Sequence, residues 1–143
     1  MPAVKDIMAR EVVTIETSST VFEAAESMSS NGVSCLIVVI KGFPVGIITE
    51  RDIVRRIVAK RSSLDVKVTE VMTKTLITVD PETSIKDAAR VMSNNKIRRL
   101  PVLKNNKLVG IVAASDFVRN VGKKTTTEEI LDALGRNTIS ASV

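Results

Sequence analysis

The feature that most limits what this chain can become is that it is written twice. Val4-Lys5-Asp6-Ile7-Met8 lies over Val68-Thr69-Glu70-Val71-Met72, and the same 64-residue offset holds onward without a gap. Thr14 falls on Thr78, Ala24-Ala25 on Ala88-Ala89, Met28-Ser29 on Met92-Ser93 and Val38 on Val102. Gly46-Ile47 then meets Gly110-Ile111, Asp52 meets Asp116, and Val54-Arg55 meets Val118-Arg119. One register kept over so long a stretch marks a duplicated structural unit. We divide the chain into a first repeat at 4–58, a junction at 59–67, a second repeat at 68–122 and a tail at 123–143.

Each repeat reads as strand, helix, strand, strand, helix. Val12-Val13-Thr14-Ile15 and Leu76-Ile77-Thr78-Val79 are β-branched stretches. Val21, Ala24, Ala25 and Met28, with Ile85, Ala88, Ala89 and Met92, form the i, i+3, i+4, i+7 stripe of a helix buried on one face. Thr20 with Glu23 is a capping-box pair, and Ser84 with Asp87 a weaker one. The apolar run Cys35–Ile40 suits a strand covered on both faces, with Cys35 expected to be buried. Lys41-Gly42-Phe43-Pro44 turns the chain into a strand at Val45–Thr49, and Asn105-Asn106 is a hairpin turn in the second copy. Second helices follow, with Ile53, Val54, Ile57 and Val58 in one and Phe117, Val118 and Val121 in the other. Arg55-Arg56 and Lys60-Arg61 read as a solvated helix end. In the tail, Thr125 to Glu129 could cap a short helix through Ile130, Leu131 and Leu134, ended by Gly135. The expected class is α/β (α+β), with two β-α-β-β-α repeats packed sheet to sheet about a pseudo-twofold axis. A single repeat has a marginal core, and clefts between paired copies are where ligands sit.

Composition removes several functions. The 143 residues include no His and one Cys, which excludes His-based catalysis and any His or multi-thiolate metal site within the chain. Trp and Tyr are absent and Phe occurs only at 22, 43 and 117, an unpromising set for stacking single-stranded bases. No nucleophile-plus-base set stands out, so we expect no enzyme. The single Cys, and an N-terminus without a signal-peptide pattern, point to the cytoplasm, and no apolar run is long enough for a membrane span. Lys and Arg outnumber Asp and Glu by 21 to 16, a net charge of +5, which favours anionic partners. A nucleic-acid-binding or gene-regulatory accessory is therefore the alternative function.

Gly46-Ile47-Ile48-Thr49-Glu50-Arg51-Asp52 and Ile97-Arg98-Arg99-Leu100-Pro101-Val102 carry the most specific signal. In them the chain, over residues 4 to 122, resembles the CBS-domain family, as a tandem pair or Bateman module. On physical grounds Thr49 closes a strand and opens a helix whose N–H groups favour an anion. Asp52, one turn in, can accept from both hydroxyls of a ribose, as acidic side chains do in dinucleotide folds. Gly46 would admit a neighbouring backbone or a ligand. The same Thr-x-x-Asp spacing also makes a helix cap that needs no ligand.

The resemblance implies a ligand held between the copies, its ribose on one and its base on the other. The stronger site would join Thr49 and Asp52 to Ile77, Ile97 and Arg99. The weaker would use Asp116 with Val13, Val33 and Ser34, and Arg98 could serve it or a subunit contact. Ala113 stands where Thr49 stands in the first copy, so the Asp116 site is expected to be weaker, differently selective or empty. The implied ligand is an adenosyl compound, AMP, ADP or ATP, or S-adenosylmethionine or NAD. The implied assembly is a homodimer that regulates an unidentified protein without catalysis of its own.

Overall fold

The computed structural model describes residues 2–120 together with Ile130, Ala133 and Leu134. The chain divides into two compact units, one of residues 12–76 and one of residues 1–11 with 77–143. The short segment that heads each repeat therefore packs in the unit built by the other repeat's strands and helices.

In the 12–76 unit, β1 (Thr14–Glu16) runs parallel to β2 (Cys35–Ile40), which pairs antiparallel with β3 (Phe43–Thr49). Helix α1 (Val21–Asn31) starts on the Thr20–Glu23 capping box and stops at Gly32, whose φ of 63° suits a residue without a Cβ. Val21, Ala24 and Met28 point into a core with Ile15, Leu36, Val38, Ile48 and Ile57. Ala25, expected in that stripe, is only half-buried.

The junction is not a loose tether. Val21 and Phe22, at the open end of α1, donate to the carbonyls of Val66 and Leu64, and Val68 donates to Ser19. Orphan donors of the helix start are thus satisfied by the junction backbone. Beyond it, Val68–Glu70 forms a 3-10 turn, Val68, Val71 and Met72 enter the core, and Thr73 exchanges hydrogen bonds of 2.9 and 3.1 Å with Ile47.

The other unit repeats this plan with its own leading segment. Val4 donates to Thr83, Ile85 to Pro2, and Ala9 exchanges two 2.9 Å bonds with Ile111. Lys5 pairs with Glu82 at 2.8 Å. Helix α3 (Ile85–Asn95) carries Ile85, Ala88, Ala89 and Met92 inward, against β4 (Arg99–Lys104) and β5 (Lys107–Ala113). Ile130, Ala133 and Leu134 are helical and buried in this core, whereas the expected Leu131 and Gly135 lie outside the described residues, as does Val121.

Four expectations need correction. The strand expected at Leu76–Val79 is reduced to a single parallel bridge, Val79 to Val102. In the first repeat Ile37 donates to Val13; the residue in its place in the second is Pro101, which has no N–H, so the ladder cannot extend. The first hairpin turn is only Lys41-Gly42, with φ of 49° and 83°, because Phe43 and Pro44 already pair with Ile40 and Val39. Asn105-Asn106 is the matching two-residue turn, as expected. Cys35 is half-buried, being the first residue of its strand. Val54, Val58 and Val118 face outward, at 56%, 63% and 58% exposure. Helix α2 (Glu50–Ile53) changes at Val54 to a π-helical turn, Val54–Val58, which moves the inward face to Ile57.

Gly46 and Gly110 answer to packing within their units. A Cβ on Gly46 would stand 2.5 Å from Met72 Sδ and 2.9 Å from the Thr73 carbonyl oxygen; on Gly110 it would meet Met8 and Ala9 in the same way. The sulfur can swing aside, but the backbone oxygen cannot. Gly46→Ala and Gly110→Ala should each destabilise by about 1–3 kcal/mol, measurable as a lower denaturation midpoint with an unchanged slope. The α1 capping box gives a second check. Hydrogen bonds from Thr20 hold the Glu23 carboxyl below its ordinary pKa. Its contribution is therefore complete above the free-carboxylate range and is lost as pH falls through the lowered folded value. A carboxyl NMR titration should find Glu23 titrating below the same residue in the unfolded chain.

Candidate functional site

Thr49 is both the last residue of β3 and the N-cap of α2. Its backbone N–H and hydroxyl donate to Asp52 Oδ2 at 2.9 and 3.1 Å, and its Oγ1 accepts from the Asp52 N–H at 3.2 Å. The capping reading of Thr-x-x-Asp is therefore real. It does not consume the acid, because both of the box's bonds to the carboxylate go to Oδ2 and Asp52 is only half-buried. Beside them, Glu50 donates to the Ser34 carbonyl at 2.9 Å and Cys35 pairs with Thr49 across the hairpin. Val13 and Val33 pack at the edge of the same core.

The second unit gathers the matching positions. Ile77 and Ile97 are half-buried against its core, Ala114 donates to the Arg98 carbonyl at 2.8 Å, and Arg99 pairs with Ala113. Arg98 immediately precedes β4. Helix α4 (Ala114–Arg119) opens at Ala113, whose N–H donates to Asp116 Oδ2 at 2.7 Å. With no hydroxyl at 113 the reciprocal bond is missing, leaving half a box. Asp116 is 4% exposed, and its Oδ1 accepts from Arg119 Nη2.

Within one unit, then, stand Thr49, Asp52, Ser34, Val13 and Val33; within the other stand Asp116, Arg98, Arg99, Ile77 and Ile97. Sequence reasoning assigned no site role to Arg119; the signal that could have found it is its three-residue spacing from Asp116 on one helix. It also took Arg56 for a solvated cation, whereas Arg56 Nη1 donates to the Val71 carbonyl at 3.0 Å and holds the leading segment. Among the described residues, no group of three His, Cys, Asp or Glu could hold a metal ion, and no helix is long and apolar enough to cross a membrane.

A duplicated α+β unit with an acid at the helix mouth of each copy defines a tandem-repeat module. The CBS domain matches residues 4–59 and again 68–123, and the chain belongs to that family, as a tandem pair. It is 39% identical over 120 residues to CBS domain-containing protein YhcV of Bacillus subtilis, covering 84% of this chain and 86% of that one. It is 43% identical over 111 residues to the mitochondrial CBS domain-containing protein CBSX3 of Arabidopsis thaliana, covering 73% of this chain and 54% of that one. Among solved structures it resembles the CBS domain pair of protein MJ0100, crystallised with 5′-methylthioadenosine and S-adenosyl-L-methionine. The TM-score there is 0.77 at 29% identity, over 87% of this chain and 98% of that one.

Proposed function

We propose that this chain is a non-catalytic regulatory module that binds an adenosyl ligand and signals through a changed arrangement of its lobes or subunits. The observation that carries the reading is Asp52, a half-buried carboxylate at a helix mouth whose Oδ1 lies outside the capping box. A ribose diol offers two donors to such a group, and charge-assisted bonds are the strong ones. The adenosyl compounds bound by the MJ0100 pair support the ligand class. AMP, ADP, ATP, NAD and S-adenosylmethionine remain the compounds to try. Ile77, Ile97 and Arg99 are carried as contributors to the ligand of Asp52 on family position alone. Val13, Val33, Ser34 and Arg98 are carried likewise for Asp116.

A ligand at 100 times its Kd stabilises the folded state by about 2.7 kcal/mol. Thermal unfolding against the five compounds should therefore show a clear upward shift with at least one; no shift with any of them overturns the reading. Val54 and Val118 occupy the same position in the two repeats and both are exposed, which supports the homodimer that the family implies. Light scattering should report a dimer, and Val54→Asp together with Val118→Asp should drive it toward monomer.

A further inference from the structure

Both repeats carry an acid and, three residues on, an arginine: Asp52 with Arg55, and Asp116 with Arg119. Only the second pair is closed. Helix α4 is α-helical through Arg119, and three-residue spacing on an α-helix puts both side chains on one face. Arg119 Nη2 donates to Asp116 Oδ1, Ala113 N–H donates to Oδ2, and Asn120 Nδ2 donates to the Asp116 carbonyl at 2.7 Å. Both carboxylate oxygens are thereby engaged. In the first repeat the backbone keeps α-helical angles through Val54 and widens only beyond it, where Ala59 donates to Val54 at 2.8 Å. Arg55 is exposed and, among the described residues, makes no ion pair with Asp52. Its neighbour Arg56 anchors the turn on Val71, while Asn120, in the place of Arg56, bonds back to Asp116.

We infer that Arg119 is a latch that closes the second acid to a ribose diol, while the first acid, whose arginine makes no ion pair with it among the described residues, stays open. The inference rests on the adenosyl reading for its ligand, but not for the latch itself. One sequence motif thus yields one open acid and one engaged acid, according to whether its arginine turns back onto it.

The test uses the full chain and its Arg119→Gln and Arg119→Lys variants. Carbodiimide-driven coupling of an amine, read by peptide mass spectrometry, reports how open each carboxylate is. Asp116 should couple far more slowly than Asp52 in the native chain, severalfold faster in Arg119→Gln, and near the native rate in Arg119→Lys. Calorimetry with AMP and with S-adenosylmethionine should then find one site per chain in the native protein and two in Arg119→Gln. Unchanged Asp116 coupling in Arg119→Gln overturns the latch. Faster coupling with no second site, where the native chain does bind, overturns its role in closing the site. Faster coupling with no binding by either protein upholds the latch and removes the adenosyl reading instead.

Discussion

A fragment of residues 12–76 will unfold cooperatively, whereas a fragment of residues 1–67, cut where the repeats suggest a boundary, will not. The shorter C-terminus removes Val68, Val71 and Met72, which are 0%, 2% and 8% exposed in the core around β2 and α1. Burying such side chains is worth about 1.5–3 kcal/mol each, so the three together approach the whole stability of a small domain, about 5–15 kcal/mol. The cut also removes the Thr73–Ile47 bridge and the Val71 carbonyl that Arg56 holds. What the 1–67 fragment retains in exchange, residues 1–11, belongs to the other unit's core through Val4. Circular-dichroism melts of the two fragments decide the matter, and equal transitions would refute the division. In the intact chain Met72→Ala should lower the midpoint by the same logic, at a cost of about 2–5 kcal/mol.

How much of this was visible beforehand depends on which physics each feature uses. The helices at Val21 and Ile85, with their buried stripes, follow from period and caps, and both are local. The turn at Asn105-Asn106 needs only two residues that tolerate positive φ, so it too was readable. The exchange of leading segments was not, because Val4–Met8 and Val68–Met72 carry the same pattern and either could complete either sheet. Pattern alone likewise showed Leu76–Val79 as a strand; the missing donor at Pro101 acts on a partner far along the chain, where periodicity is blind. The switch of winding at Val54 escaped for a similar reason. Asp-x-x-Arg reads identically in both repeats, and only the structure shows that one copy is α-helical through its arginine while the other is not. The Thr49–Asp52 contact was legible as a cap and as a ligand-binding pair at once; the structure shows the cap, made on one carboxylate oxygen, and the ligand-binding half is our proposal.

Asp52→Ala and Asp116→Ala will fail in opposite ways. On the proposed function, losing Asp52 takes away an acceptor for the sugar hydroxyls, and hydrogen bonds to a charged group are worth about 1.5–3 kcal/mol. Ligand affinity should therefore fall about ten- to hundredfold, while stability drops by the value of a cap, about 0.5–2 kcal/mol. Asp52→Asn separates the two effects: at the third helical position its amide oxygen can still accept from the Thr49 N–H while the charge is lost, so stability should fall by no more than about 0.3–1 kcal/mol and the ligand should still bind weakly. Losing Asp116 leaves the part-buried Ala113 N–H without the acceptor it has at 2.7 Å, a penalty toward the lower end of the about 1–3 kcal/mol that an unsatisfied donor costs. The exposed Arg119, by contrast, returns to water at little cost. Asp116→Ala should thus melt earlier yet bind its ligand as the native chain does, because the acid it removes was already engaged. Calorimetric titrations of the three variants, run beside their thermal melts, carry the test: superimposable binding curves for Asp52→Ala and Asp116→Ala would mean that the two acids are equivalent and that the division of labour between them is wrong.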